Sequence, residues 1–143
     1  MASATNSIEI NRPVQEVYQF LANGLNNPKW RSAVIEISLV SGATGAVGAV
    51  YKQALKGPFG KLHGDYRIVE ATPNSRIKFE VITGPARPVG LFEIEPASGA
   101  ARVRFSLNFE PKGFMRLMNG MIQNTMIGEV QNLSALKAVM EAQ

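Results

Sequence analysis

The chain has 143 residues, no cysteine, and 15 basic against 11 acidic residues, a net charge of +4. That length predicts one domain, residues 1–143, burying about 68–70% of its unfolded surface. Lack of cysteine excludes disulfides and thiolate chemistry, and a single histidine among isolated carboxylates makes no metal cluster. No apolar run approaches the roughly 20 residues that span a bilayer, so no integral membrane contact is expected. The first residues carry no secretory pattern, so the expected location is cytoplasmic. The basic residues are scattered, without a basic-aromatic run, so nucleic acid is not an expected partner.

Residues Thr5 to Ile10 read as a first strand. Pro13 suits the first turn of a helix, because it has no N–H to leave unpaired. Val14, Val17, Tyr18 and Leu21 then follow helical spacing up to the stop at Asn23-Gly24. A second small helix is expected around Pro28-Lys29-Trp30. From there to Glu110 the apolar period is two, giving strands over Val34–Val40, Ala49–Lys56, Lys61–Ala71, Arg76–Thr83, Val89–Glu95 and Ala101–Glu110. Turn chemistry separates them: Gly42 to Gly48, Gly57-Pro58-Phe59-Gly60, Pro73-Asn74, Gly84-Pro85-Ala86-Arg87-Pro88 and Ser98-Gly99.

The last two strands admit a register. A turn centred on Ser98-Gly99 sets Glu95 against Arg102 and Glu93 against Arg104 on the wet face. It also sets Ile94 against Val103 and Phe92 against Phe105 on the apolar face. After Gly113 the period becomes helical again: Met115, Met118, Ile122, Met126, Val130, Leu133, Leu136 and Met140 form one stripe, about 40 Å long if the helix is continuous. Gly120 and Gly128 interrupt it, either for close approach of another backbone or for freedom to bend.

Along the chain stand Ile10-x-Arg12-Pro13-x-x-x-Val17-Tyr18-x-x-Leu21, Pro28-x-Trp30, Val47-Gly48, Ile68-x-Glu70-x-x-Pro73-x-x-x-Ile77-x-Phe79, Gly84 and Arg102-Val103. With these residues, the order of elements resembles the helix-grip fold of the START/Bet v 1-like (SRPBCC) superfamily, of the polyketide cyclase/dehydrase and lipid-transport type. The resemblance implies an α+β fold: a seven-stranded antiparallel sheet wrapped around a long C-terminal helix, with two small helices after the first strand. It also implies a cavity between sheet and helix for a hydrophobic or amphipathic molecule, with no cofactor. One cavity wall would be Leu62, Tyr66, Ile68, Ile77, Phe79, Val81, Phe92, Ile94, Phe105 and Leu107, and the other Met118, Met121, Ile122, Thr125 and Met126. Trp30 and the loops at Gly57–Gly60 and Gly84–Pro88 would lie near the mouth.

All five internal methionines fall in the C-terminal helix. Periodicity alone is explained by packing, but methionine's adaptability also suits a surface for varied apolar guests. Met118, Met121 and Met126 are expected at the open part of the grip, and Met140 at its closed end. Tyr51 and Tyr66 offer hydroxyls on apolar bodies, against the reading of ordinary half-buried tyrosines. Asn124 and Thr125 add polar groups on the helix. Strand parity turns His63 outward with Asp65, away from the position of a general base. Glu129 is expected on a wet helix flank, with a place at the edge of the cavity beside Val130 as the alternative. Arg87 is expected as a solvated loop residue, with pairing to an anionic ligand group as the alternative. No catalytic constellation is visible.

Three functions compete. The leading one is a carrier or sensor, monomer or homodimer, holding one small lipophilic molecule. The second is a cyclase- or dehydrase-like enzyme acting by conformational confinement, which a Glu129 or His63 turned inward beside a tyrosine would favour. The third is a protein-interaction module, which expects a filled cavity and an exposed apolar patch.

Overall fold

The computed structural model describes residues 2–57, 60–84 and 86–143; Pro58, Phe59 and Pro85, in two of the expected loops, lie outside it. Strand β1 (Ala2–Ile10) leads through Pro13, which caps the N-terminus of α1 (Val14–Ala22), to a 3-10 turn at Gly24–Asn26 and the short α2 (Asn27–Trp30). Strands β2 (Val34–Ser41), β3 (Val50–Gly57), β4 (Gly60–His63), β5 (Tyr66–Thr72), β6 (Arg76–Val81), β7 (Val89–Ala97) and β8 (Ala100–Phe109) follow. They form one curled antiparallel sheet in the order β1-β8-β7-β6-β5-β3-β2, with β4 paired to β3. The expected 61–71 strand is divided at Gly64-Asp65 into β4 and β5; counted as one, they give the seven strands of a helix grip. Register shifts in β2 and between Ile68 and Glu70 in β5 add the local twist that lets the sheet curl.

The β7–β8 hairpin has the expected register: Glu95 opposite Arg102, Ile94 opposite Val103, Glu93 opposite Arg104 and Phe92 opposite Phe105. Its turn needs two left-handed residues, Ser98 at φ +52° and Gly99 at φ +84°. Gly99→Ala is expected to cost about 1 kcal/mol in urea unfolding, because a Cβ is disfavoured there. On the wet face Arg102 bridges Glu9 of β1 at 2.8 Å and Glu95 of β7 at 3.0 Å, while Arg76 takes Glu93 and Glu70. These exposed pairs fix register more than they stabilise.

The C-terminal helix is not continuous. A 3-10 segment (Gly113–Met118) runs into α3 (Asn119–Gln131), and the helix breaks at Asn132 before α4 (Leu133–Glu141). Alpha-4 is the anchored half, with Leu133, Leu136 and Met140 fully buried. Arg12 ties its end by donating to the carbonyls of Glu141 and Gln143. Alpha-3 packs chiefly on β1, with a lesser contact on β8. Of its residues only Met126 and Val130 are buried. A Cβ at Gly120 or Gly128 would meet nothing within 4 Å, so neither glycine serves a close backbone approach.

Candidate functional site

The inner face of the sheet is built from aromatic rings placed by strand parity. Tyr51 and Tyr66 stand opposite each other on β3 and β5 and stack at 5.2 Å. Phe79 on β6 continues from Tyr66 at 5.2 Å, and Phe92 on β7 from Phe79 at 6.0 Å. Phe92 stacks on its cross-strand partner Phe105 at 4.4 Å. Five adjacent strands thus carry one ladder of rings, with Ile68, Ile77, Ile94 and Leu107 buried beside it. Gly90 makes the ladder possible: a Cβ there would lie 2.0 Å from the Phe79 ring, so only glycine lets that ring lean across β7.

Trp30 is a correction to the sequence reading. Expected near the mouth, it is 2% exposed and meets Phe92 and Phe105 edge-on, each at 6.0 Å. Helix α2 carries its indole inward, because burial of so large an apolar surface outweighs any surface position. Its Nε1–H has no acceptor among the described residues.

At the Tyr51–Tyr66 end the wall becomes polar. Asn27 donates through Nδ2 to the Tyr66 hydroxyl and to Gln53 Oε1, both at 3.0 Å. The Tyr51 hydroxyl accepts from the Gly45 amide at 3.3 Å. Gly24 lies so close that a Cβ would meet the Tyr66 hydroxyl at 2.2 Å. Next to this cluster Arg31 Nε donates to Glu129 Oε2 at 2.8 Å, with side chains only 8% and 12% exposed. Glu129 is therefore not on a wet flank: the turn of α3 that buries Met126 and Val130 also swings it toward α2, where Arg31 offers the partner a buried carboxylate needs.

Burial pushes the Tyr66 phenol up to about 12, against the charge of Arg31 and the Asn27 hydrogen bond, which lower it. Tyr66 is thus a neutral donor at any physiological pH. Because folding holds the proton, this contribution to stability is complete below pH 10 and is lost as pH rises from 10 to 12. A Tyr66→Phe variant is expected to lose stability less steeply than the parent in that window. Ultraviolet titration should show one phenol fewer ionising last.

The other expected site residues divide by how the grip closes. Met126 is buried; Val81, Met118 and Ile122 are half-buried. Leu62 shares the inner face with its partner Leu55 but sits on the short outer strand β4, which no other described element covers, and is 46% exposed. Met121, 37% exposed, and Thr125, whose hydroxyl donates to the Met121 carbonyl, also face water, because α3 leans on β1 rather than across the sheet. Asn124 is exposed, and Arg87 is exposed with its Nε donating to the Gly84 carbonyl. His63 is paired with Ala54 on the outer face, as parity requires. Sequence reasoning missed Asn27, Arg31 and Gln53. Gln53 was within reach, being two positions from the inward Tyr51.

Among the described residues, the cleft bounded by Leu21, Ala22, Asn27, Arg31, Tyr66 and Phe79 has about 10 Å³ of free space, the rings of the ladder occupying most of it. The polar end and the cleft meet at Arg31, between the sheet and the helices.

The sequence model of the "polyketide cyclase / dehydrase and lipid transport" family matches residues 1–141. The chain belongs to that family. The fold agrees with solved structures. The TTHA0849 protein of Thermus thermophilus superposes with a TM-score of 0.82 at 18% identity, covering 98% of this chain and 97% of the other. A START superfamily protein of Mycobacterium smegmatis gives 0.80 at 11% identity, covering 99% of both. The di-domain ARO/CYC protein BexL gives 0.63 at 22% identity, covering 94% of this chain and 47% of BexL. No curated protein sequence matches the chain. Membership of the polyketide cyclase/dehydrase and lipid-transport family supports a ligand-binding or cyclase-like role toward hydrophobic molecules. No helix among the described residues is long and apolar enough to cross a membrane.

Proposed function

We propose that this protein binds one small lipophilic molecule between the aromatic face of its sheet and the C-terminal helix, as a carrier or sensor. The observation that carries the reading is the surplus of donors on an otherwise apolar wall. Trp30 Nε1–H lacks an acceptor among the described residues, and the Tyr66 hydroxyl accepts from Asn27 without a described acceptor for its own proton. A buried donor left unpaired costs about 1–3 kcal/mol, so it is retained where something else satisfies it. A guest with an apolar body and an acceptor oxygen does so.

Such a guest needs a few hundred Å³, so a wall must move. Alpha-3 and the 3-10 segment before it are the weakly fastened wall: Phe114 and Leu117 stand 73% and 89% exposed, and the break at Asn132 separates them from the anchored α4. The filled interior and this exposed patch also favour the interaction-module reading. The inward Glu129 beside Arg31 and Tyr66 favours a cyclase-like enzyme, and the ARO/CYC likeness of BexL agrees with it.

The sole tryptophan sits in the ladder and reports directly on binding. Saturable quenching of Trp30 by N-phenyl-1-naphthylamine is expected, together with a co-purifying lipophilic mass in native mass spectrometry of protein from its own host. If neither is seen, the binding reading fails and the interaction module takes its place. Turnover of a bound polyketone that falls in Tyr66→Phe or Glu129→Gln, with binding intact, would establish the enzyme.

A further inference from the structure

We propose that the Arg31–Glu129 pair is a latch opened by a ligand carboxylate: an anionic head on an apolar body takes Arg31, frees Glu129 and releases α3 from α2. This rests on the binding reading above and adds to it the charge of the guest and the part that moves.

Charge placement is the first support. Glu129 is the only ionisable residue in the sequence of α3, and it turns inward to Arg31 rather than outward to water. Among the described residues, this is the only ion pair that α3 makes. Its remaining polar ties run to β1: Gln123 with the backbone of Ser3, and Asn6 Nδ2 donating to the Val130 carbonyl at 3.2 Å. Breaking the pair therefore detaches α3 from α2 while leaving it on β1.

Donor geometry is the second. Glu129 takes up only the Nε–H of Arg31 among the described hydrogen bonds, so most of the guanidinium fork is left for a second oxygen pair. The fork lines the same cleft as Tyr66, and its charge acts on the Tyr66 hydroxyl, whose proton has no described acceptor. An ionised carboxylate brings acceptors and no donor, which is what this end lacks. An alcohol oxygen also accepts but brings a donor of its own, so it offsets less of the surplus, and it carries no charge for Arg31.

Charge balance is the third. A guanidinium this deep must keep a partner. If a ligand carboxylate replaces the Glu129 carboxylate, Arg31 stays paired and Glu129 regains water. Gly128 beside it has open space around it, and the helix break at Asn132 lies three residues on. The exchange leaves no buried charge stranded, which a neutral guest forcing the pair apart would do.

The test uses two probes of one chain length, decanoate and decan-1-ol, each displacing N-phenyl-1-naphthylamine at about pH 7.5, where a carboxylic acid is ionised. Decanoate is expected to displace at a concentration at least tenfold lower. Glu129→Gln should tighten decanoate several-fold without moving decan-1-ol, and Arg31→Met should make the two probes equal. Hydrogen exchange in residues 119–131 should quicken with decanoate and not with decan-1-ol. Equal displacement, no displacement by either, or an acid preference that survives Arg31→Met overturns the latch while the binding reading stands. Failure of N-phenyl-1-naphthylamine to bind, with no co-purifying lipophilic mass, removes the binding reading; with that mass present, the hydrogen-exchange comparison decides the latch. If Arg31→Met does not fold, the two-probe comparison and the exchange pattern on the unmodified protein decide.

Discussion

Glu129→Ala is expected to lower the unfolding free energy by about 3 kcal/mol, the low end of what stripping one partner from a buried ion pair costs. The loss comes from what remains. The Arg31 side chain is 8% exposed, so without Glu129 its charge sits among Leu21, Ala22 and the Tyr66 hydroxyl with no counter-charge. Changing both partners to apolar residues, Arg31→Met with Glu129→Leu, should recover most of the loss, because no charge is then buried. The exposed pair of Lys61 and Glu36 is the control: breaking it should leave the unfolding midpoint close to that of the parent. Urea unfolding of the single and double variants measures the coupling. A Glu129→Ala cost below about 1 kcal/mol, the range of a solvated pair, would mean that water already screens it, and the latch would have nothing to hold.

The fold was legible because its information is local. Alternation in Val103, Phe105 and Leu107 against Arg102, Arg104 and Ser106 specifies one wet and one dry face, and the Ser98-Gly99 turn leaves one register that satisfies both. The division between β4 and β5 was not legible, since a continuous alternation runs through Gly64-Asp65. The break depends on distant partners there: the Gly64 amide donates to the Gln53 carbonyl and the Asp65 amide to the Thr83 hydroxyl. The helix break at Asn132 was not legible either, since the apolar stripe passes through it unbroken.

The site was legible on the strands and obscure on the helices. Period two fixes which way a strand side chain points, so the ring ladder from Tyr51 to Phe105 follows from sequence. A helix stripe says that a face is covered, and not by what or how tightly. Met121 and Thr125 lie on the flank that α3 turns to water as it leans on β1, while Met126, further along the same helix, is sealed. Arg31 gave no signal at all. A basic residue after a tryptophan is ordinary until the fold places a carboxylate 98 positions away beside it.

Phe105→Ala is expected to have the largest effect of any single change, about 3–5 kcal/mol in urea unfolding. The ring is fully buried, stacked on Phe92 at 4.4 Å and met edge-on by Trp30 at 6.0 Å, with Phe79 at 6.5 Å. Its removal takes the transfer energy of a whole aromatic side chain and, beyond that, about 0.5–1.5 kcal/mol for each well-placed ring contact. The backbone cannot collapse into the gap, because β8 is held by β1 on one side and β7 on the other. Trp30 should then lose part of its apolar enclosure, shifting its emission to the red in the folded protein. The vacated volume lies on the wall where a guest would sit, so N-phenyl-1-naphthylamine should bind the folded variant at least as tightly as the parent. Met121→Ala, on the exposed face of α3, should fall within about 0.5 kcal/mol of the parent. A Phe105→Ala cost as small as that, with Trp30 emission unmoved, would mean that the ladder is not the core of this domain.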